Sequence, residues 1–507
     1  MLIGELLSAG RDAKPAIFFE GAAISYADLD DLANRFAHLF GKLRLEIGDR
    51  VSMLMGNEPL TVAAYFGLFK TGVIANPINN RLSASEIEYI LNHAGSRLLL
   101  TTPEFLPLAV ESCRRLAEKP QILLLGGEAG AAPLPVLSER LLHEQPTVPR
   151  RVEGLSEQSP AALIYTSGTT GRPKGVLLTH KNIMTDAEML ARGFRLGADH
   201  VTLCFMPLFH CNALIVSHLS SFSVHASVVL CRRFSATQHW QLVADHHVKS
   251  FSAPPTVLAI LLEREAEARA FNVELDYVKT GSAPLTIELA ERFEKRFGRD
   301  LLIEGWGLTE GTATSTLNPL FAGGPRKIGS VGQAMPGQEI RVFDEEGREL
   351  PAGAVGELVI RSETVMQGYF RDPEATAKTV KNGWLHTGDL GRLDKDGYVY
   401  LVGRKKEIII RGGENISPLE VEEIIFRHPA VRDVAVGGLP DRIWGEVVVA
   451  CVVPAYEITS DALIEHCRKH LADFKIPVRF AFTDALPRNA TGKILRRQLS
   501  ELFPAQA

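Results

Sequence analysis

The sequence predicts an α/β protein: a large N-terminal domain of parallel α/β sheets with a small β-barrel-like part, then a small α+β C-terminal domain. Three observations carry this. Amphipathic helical stretches alternate with short apolar runs over the first hundred residues and again from Ala161. From about Gly329 the texture changes to short β-like runs between Gly and Pro turns. After Gly403 to Glu407 mixed α and β return for about a hundred residues, enough for an independent domain.

In chain order, Tyr26 to Leu29 opens a helix whose apolar positions Leu29, Leu32, Ala33, Phe36 and Leu39 keep a helical period. Gly48-Asp49-Arg50 turns the chain, Val51 to Met55 follows as a strand, a second helix runs around Leu60 to Phe69, and Thr71-Gly72 turns again. Strand, helix and strand at this spacing mark a parallel sheet. Residues 127–155, rich in Gly, Ala, Pro and charge, read as a surface connection, and the α/β pattern resumes at Ala161 to Tyr165. Glu339 to Phe343 and Gly356 to Arg361 are strands of the barrel-like part, placed at about 329–403 inside an N-terminal domain of 1–403. The second domain takes 404–507, where the apolar run Val447 to Pro454 is a buried strand.

Composition excludes several classes. A chain of 507 residues implies about two to four domains. Lys plus Arg number 55 against 60 Asp plus Glu, a net charge of −5, which argues against a nucleic-acid backbone as partner. No apolar run reaches the ~18 residues of a spanning helix. Met1 to Glu5 lacks a basic leader and no long apolar run precedes Arg11, so the cytoplasm is the expected compartment. Six cysteines are too sparse for a disulfide framework. Cys204, Cys211 and Cys231 share a region with His210, His218 and His225 but lack zinc-ligand spacing; buried thiols and core or cleft histidines are the reading.

The sharpest local feature is Thr166-Ser167-Gly168-Thr169-Thr170-Gly171-Arg172-Pro173-Lys174-Gly175, directly after an apolar strand. Its glycines let the backbone curl with N–H groups exposed, its hydroxyls add donors, and Lys174 adds a mobile charge. Physically this is a phosphate cradle. No GxxxxGK[ST] string fits, so a P-loop NTPase is disfavoured.

This string resembles the phosphate loop of the adenylate-forming superfamily, which includes acyl-CoA synthetases, firefly luciferase and peptide-synthetase adenylation domains. Further resemblances follow in the family's order: Gly281-Ser282-Ala283-Pro284 (adenine-side loop), Gly305-Trp306-Gly307-Leu308-Thr309-Glu310 (YGxTE), Thr387-Gly388-Asp389 (TGD), Gly403 to Pro418 (hinge and thiol tunnel) and Pro487 to Lys493 (C-terminal lysine). The acyl-CoA synthetase branch is the nearest in pattern.

The resemblance implies roles residue by residue. ATP would be bound by Thr166, Ser167, Gly168, Thr169, Thr170, Gly171 and Lys174, by Gly281, Ser282 and Ala283, by Gly305, Trp306, Gly307 and Thr309, and by Asp389, Arg404 and Lys493. Glu310, with Thr166, would hold Mg²⁺ bridging phosphate oxygens. Asp389 suits ribose hydroxyls, having two acceptor oxygens. Trp306 stands where the family usually has tyrosine; an indole can still stack on adenine, without the phenolic hydroxyl. Lys493 would be the electrostatic catalyst of adenylation, with Glu310, Thr166 and Lys174 beside it in the chemistry.

Pro207 to His210 resembles the segment that gates the acyl pocket, whose small uncharged wall would be Gly281, Ser282, Ala283, Gly311, Thr312 and Ala313. Arg411, Gly412, Gly413 and Glu414 would line the coenzyme A tunnel, and Lys406 would be the hinge of a mobile C-terminal domain. The implied reaction joins a carboxylic acid to coenzyme A through an acyl-adenylate, with ATP and Mg²⁺; the acid leans to medium-chain or aryl. A free-standing enzyme loading a phosphopantetheine carrier protein is the alternative, and a luciferase-like oxygenase or a regulatory nucleotide binder that has lost catalysis is disfavoured. No fused carrier domain is expected after Lys493. The pattern around Pro487 and Gly492-Lys493 also implies an acetyltransferase and deacetylase acting on Lys493. The state of assembly is left open, a homodimer included.

Overall fold

Ser25 and Asp28 start the first long helix, Tyr26–Lys42, by satisfying each other's backbone: Ser25 Oγ accepts from the Asp28 N–H at 3.0 Å and Asp28 Oδ2 from the Ser25 N–H at 3.2 Å. Its buried stripe of Leu29, Ala33, Phe36 and Phe40 packs on a second helix, Pro59–Thr71. That helix is apolar on nearly every side and is buried accordingly. At the crossing, a Cβ on Gly67 would lie 2.4 Å from Phe36 Cβ, so only glycine admits the contact. Gly72, at φ +70°, ends the helix in the left-handed conformation. The computed structural model describes residues 1–9, 13–127, 134–166, 173–271, 273–281, 285–298, 300–319, 324–488 and 493–503.

Among the described residues two sheets make the N-terminal part. One has eight strands in the order Gly368–Tyr369, Lys174–Thr179, Pro160–Thr166, Ile74–Pro77, Arg50–Leu54, Leu98–Thr101, Gln121–Leu124 and Val136–Ser138. Its pairings are parallel from Pro160–Thr166 onward and antiparallel before it. The stretch expected to be a surface connection therefore does more: Val136–Ser138 is an edge strand with Val136 beside Ile122, and Arg140–His143 adds a helical turn. Three residues are too few to show a strand period in sequence.

The other sheet has fourteen strands. Its parallel centre comprises Ser227–Leu230, Val201–Cys204, Ser250–Ala253, Tyr277–Thr280 and Leu302–Trp306. It continues antiparallel through Thr316–Asn318 and Gly332–Ala334 into Tyr398–Arg404, Trp384–Leu393, Gly356–Arg361 and Glu339–Phe343. The barrel-like part thus shares the sheet of the parallel part while having a core cluster of its own, which includes Trp306, Ile340, Leu358 and Leu385.

After Arg404 a five-stranded sheet forms from Glu414–Ile416, Ile409–Arg411, Gly445–Pro454 and Val431–Asp441, with Arg479–Phe482 beside Gly445–Pro454. Ile409, Ile416, Val421, Val436 and Val448 give it a core distinct from that of the two large sheets. Among the described residues no helix is long and apolar enough to cross a membrane.

Candidate active site

The candidate residues lie where parallel strands end, the crevice in which open α/β sheets bind ligands. Thr166 closes Pro160–Thr166, Pro207 to His210 follows Val201–Cys204, Gly281 follows Tyr277–Thr280, and Gly307 to Gly311 follows Leu302–Trp306. Asn57 staples the two sheets together here. Its amide donates to the Met206 and Cys231 carbonyls at 2.9 and 3.1 Å and accepts from the Leu208 N–H at 2.9 Å.

The middle of the expected phosphate cradle, Ser167 to Arg172, lies outside the described residues, as do Ser282 and Ala283. Its ends are held. Thr166 pairs with Lys174 across two antiparallel strands, Tyr165 OH lies 2.7 Å from His93 Nδ1, and Tyr89 OH donates to the Pro173 carbonyl at 3.3 Å. Lys174 Nζ sits 4.8 Å above the ring of Tyr369, whose hydroxyl donates to Glu310 Oε1 at 2.9 Å. No sequence argument singled out Tyr369. The antiparallel pair of Gly368–Tyr369 with Lys174–Thr179 brings it here from far along the chain.

Glu310 sits in a one-turn helix, Thr309–Gly311, capped by Thr312 at φ +79°. A buried β-branched residue at positive φ is strained. Contacts on both sides hold it, as the Thr312 hydroxyl donates to the Thr364 carbonyl and the Met366 N–H to the Glu310 carbonyl at 2.8 Å. With one carboxylate oxygen taken by Tyr369, no other described donor is recorded on Glu310, which leaves an oxygen for a hard cation bound chiefly through substrate phosphates. The donor set fits Mg²⁺. Among the described residues no group of three or more His, Cys, Asp or Glu is arranged for a metal, and burial raises the thiols of Cys204, Cys211 and Cys231.

Asp389, expected to meet the ribose, is 5% exposed. Its Oδ2 accepts from Trp306 Nε1 at 2.9 Å and its Oδ1 lies 2.7 Å from Arg404 Nε. Burial raises its pKa, against the pull of Arg404, Trp306 and Lys493. The indole expected to stack on adenine is 7% exposed and belongs to the barrel core, so what it displays here is its N–H, directed at Asp389. Glycine is required at 281 and 307, where a Cβ would lie 2.7 Å from the Gly305 carbonyl oxygen and 2.2 Å from that of Ala313. Behind Gly305, buried Lys279 donates to Thr314 Oγ1 at 2.9 Å; burial lowers this lysine and raises Asp186, its buried counter-charge. Neither residue was legible as a site residue.

His210 follows the strand as expected. Burial, with the Arg81 charge nearby, pushes its pKa down to about 4, so the imidazole is neutral. Its Nε2 is buried with no partner among the described residues, and a π-helical stretch, Asn212–Leu219, begins two residues on. Irregular helices of this kind collect at functional sites.

In the C-terminal sheet, Arg411 pairs with Glu414 across a two-residue hairpin turn, with Gly412 at φ +60° and Gly413 at φ +92°. Both central residues of such a turn need positive φ. Nothing lies within 4 Å of a Cβ placed on Gly413, so its backbone, not crowding, demands glycine in this arrangement. Arg404 is ion-paired to Asp389, and the Lys405 N–H donates to the Gly388 carbonyl at 2.9 Å. Glu407 instead receives Arg496 Nε at 3.0 Å, and Arg496 also bonds Glu422 of the helix Pro418–Phe426. Lys406 stands between the two attachments. Lys493 shares the neighbourhood of Arg404, Glu407 and Asp389, and desolvation lowers its pKa.

A family model described as AMP-binding enzyme matches residues 8–370, and one described as AMP-binding enzyme C-terminal domain matches 420–493. The chain belongs to the AMP-binding enzyme family. A sulfoacetate–CoA ligase of Cupriavidus necator is 36% identical to it over 483 residues, covering 94% of this chain and 92% of that one. A fatty acid–[acyl-carrier-protein] ligase, ScoC of Streptomyces coeruleorubidus, is 34% identical over 499 residues, covering 96% and 93%. The crystal structure of ATP-bound MatB from Rhodopseudomonas palustris superposes with a TM-score of 0.90 at 29% identity, covering 99% of both chains.

In this AMP-binding enzyme the fold assembles Thr166, Lys174 and Glu310 as one group and Trp306, Asp389, Arg404 and Lys493 as another. Tyr369, Lys279, Asp186 and Asn57 are additions that only the folded chain displays.

Proposed function

We propose that this AMP-binding enzyme ligates a carboxylic acid to coenzyme A in two half-reactions. An acid oxygen attacks the α-phosphorus of ATP, pyrophosphate leaves and acyl-AMP forms. The thiol of coenzyme A then attacks the acyl carbon and AMP leaves. The observation that carries the reading is the meeting of Asp389, Arg404 and Lys493, one from the large sheet, one at the junction and one from the C-terminal part.

In that reading Asp389 accepts the ribose hydroxyls, and Thr166 and Lys174 meet the phosphates. The Lys493 ammonium balances charge as the acid closes on the α-phosphate. Glu310 with Thr166 would hold Mg²⁺, which would supply positive charge against the phosphate oxygens. Neutral His210, with Gly281, Gly311 and Thr312, bounds the acyl chain without adding charge at pH 7. That wall suits monocarboxylates, medium-chain or aryl. Arg411 to Glu414 line the thiol path after the C-terminal domain, 404–507, turns about Lys406. AMP release measured over a panel of fatty, aryl, dicarboxylic and sulfonated acids tests this, and no release with any acid refutes it. The carrier-protein ligase among the relatives favours a second reading, with a phosphopantetheine carrier as acceptor. Thioester yield with free coenzyme A against holo-carrier separates the two.

A further inference from the structure

The segment Met366 to Phe370 is stitched to both halves of the phosphate-binding group. On one side the Met366 N–H donates to the Glu310 carbonyl at 2.8 Å. On the other, the Gln367 N–H donates to the Leu177 carbonyl at 3.0 Å and the Phe370 N–H to the Gly175 carbonyl at 2.8 Å. Gly368 and Tyr369 lie opposite Leu177 and Val176 of the strand that begins at Lys174. The Tyr369 N–H is in turn held by Thr376 Oγ1 at 2.8 Å. These four hydrogen bonds and the strand pairing fix where the Tyr369 side chain goes.

That side chain does two things. Its hydroxyl donates to Glu310 Oε1 at 2.9 Å, and its ring lies 4.8 Å beneath the Lys174 ammonium. The ring attracts the cation through its quadrupole without neutralising it, as a carboxylate partner would. Among the described residues no ion pair to Lys174 is recorded, so its charge stays available for phosphate. The hydroxyl bond fills one Glu310 oxygen and so selects the other for the cation, fixing the carboxylate's rotation before nucleotide arrives.

We propose that Tyr369 is a positioning residue for the nucleotide–metal complex: it orients Glu310 through its hydroxyl and holds Lys174 ready through its ring. This rests on the reading of Glu310 as the metal carboxylate. The two claims are separated by measuring Mn²⁺ affinity by electron paramagnetic resonance on the full chain, with the non-hydrolysable α,β-methylene analogue of ATP present. Tyr369→Phe keeps the ring and removes the hydroxyl; Mn²⁺ binding weakens about five- to tenfold, less than the ~10- to 100-fold of a whole hydrogen bond to a charged group because Glu310 itself remains. In Glu310→Gln it weakens far more, and adding Tyr369→Phe to that variant brings little further loss. Tyr369→Leu removes the ring as well and raises the KM for ATP more than Tyr369→Phe does.

Should Tyr369→Phe fail to fold, Thr376→Val loosens the tyrosine's backbone while sparing its phenol and weakens Mn²⁺ about two- to threefold. Unchanged Mn²⁺ affinity in Tyr369→Phe, with Glu310→Gln impaired, overturns the proposal alone. Unchanged affinity in Glu310→Gln overturns the metal assignment beneath it.

Discussion

Trp306→Phe is the substitution whose consequence follows most directly from geometry. It keeps an aromatic ring in the barrel core and deletes the N–H that reaches Asp389 Oδ2 at 2.9 Å. Asp389 is buried, its pKa already raised by desolvation, and Trp306 is one of the groups holding it down. A hydrogen bond to a charged group contributes about 1.5–3 kcal/mol, and about 1.4 kcal/mol corresponds to one pKa unit. Losing the bond should therefore raise the Asp389 pKa further.

Only the ionised carboxylate accepts from both ribose hydroxyls, so protonation removes ATP binding as pH falls. A higher pKa moves that loss to higher pH. The acidic inflection of kcat/KM for ATP, followed by pyrophosphate release as pH is lowered, should move up with it. Well below the new inflection the variant loses a further ~10- to 100-fold relative to the parent. Any effect of the smaller ring on packing is independent of pH and appears as a vertical offset. An inflection unmoved by Trp306→Phe would refute the coupling of indole to carboxylate.

Three further outcomes are expected. Lys493→Ala should lower acid-dependent pyrophosphate release by at least ~100-fold, the size of a lost charge contact in a transition state, yet spare the reaction of supplied acyl-adenylate with thiol; acetylation of Lys493 should act likewise, and equal loss in both half-reactions would sink the assignment. Lys406→Pro, which fixes φ near −65°, should impair thioester formation far more than pyrophosphate release, since Lys406 lies between Arg404, tied to Asp389, and Glu407, tied to Arg496; a proportional fall with intact circular dichroism contradicts a hinge there. Burial lowers His180, His210 and His218 to about 4 and His239 to about 3. Their folded pKa values lie below the unfolded ~6.5, so their stabilisation is complete above ~6.5 and is lost as pH falls toward 4, at up to about 1.4 kcal/mol per unit for each. Tm should drop steeply between pH 6.5 and 5, and a flat profile would show that these histidines are not buried neutral.

The sequence by itself determined the helices and strands marked by a long apolar period, such as Tyr26–Lys42, or by an unbroken apolar run, such as Pro59–Thr71 and Gly445–Pro454. It also carried the expectation for contiguous motifs, because a string such as Gly305 to Glu310 sets its polar groups side by side in the chain. It could not show which distant residues complete those motifs. Tyr369 reaches Glu310 only because a two-residue strand pairs with Lys174–Thr179, and two residues carry no period. Val136–Ser138 escaped notice for the same reason. The indole of Trp306 could be named from sequence, but whether it offers its face or its N–H depends on the barrel core closing around it. The charge states of His210, Lys279 and Asp186 were likewise decided by tertiary structure alone, since desolvation is a property of the surrounding protein and not of neighbours in the chain.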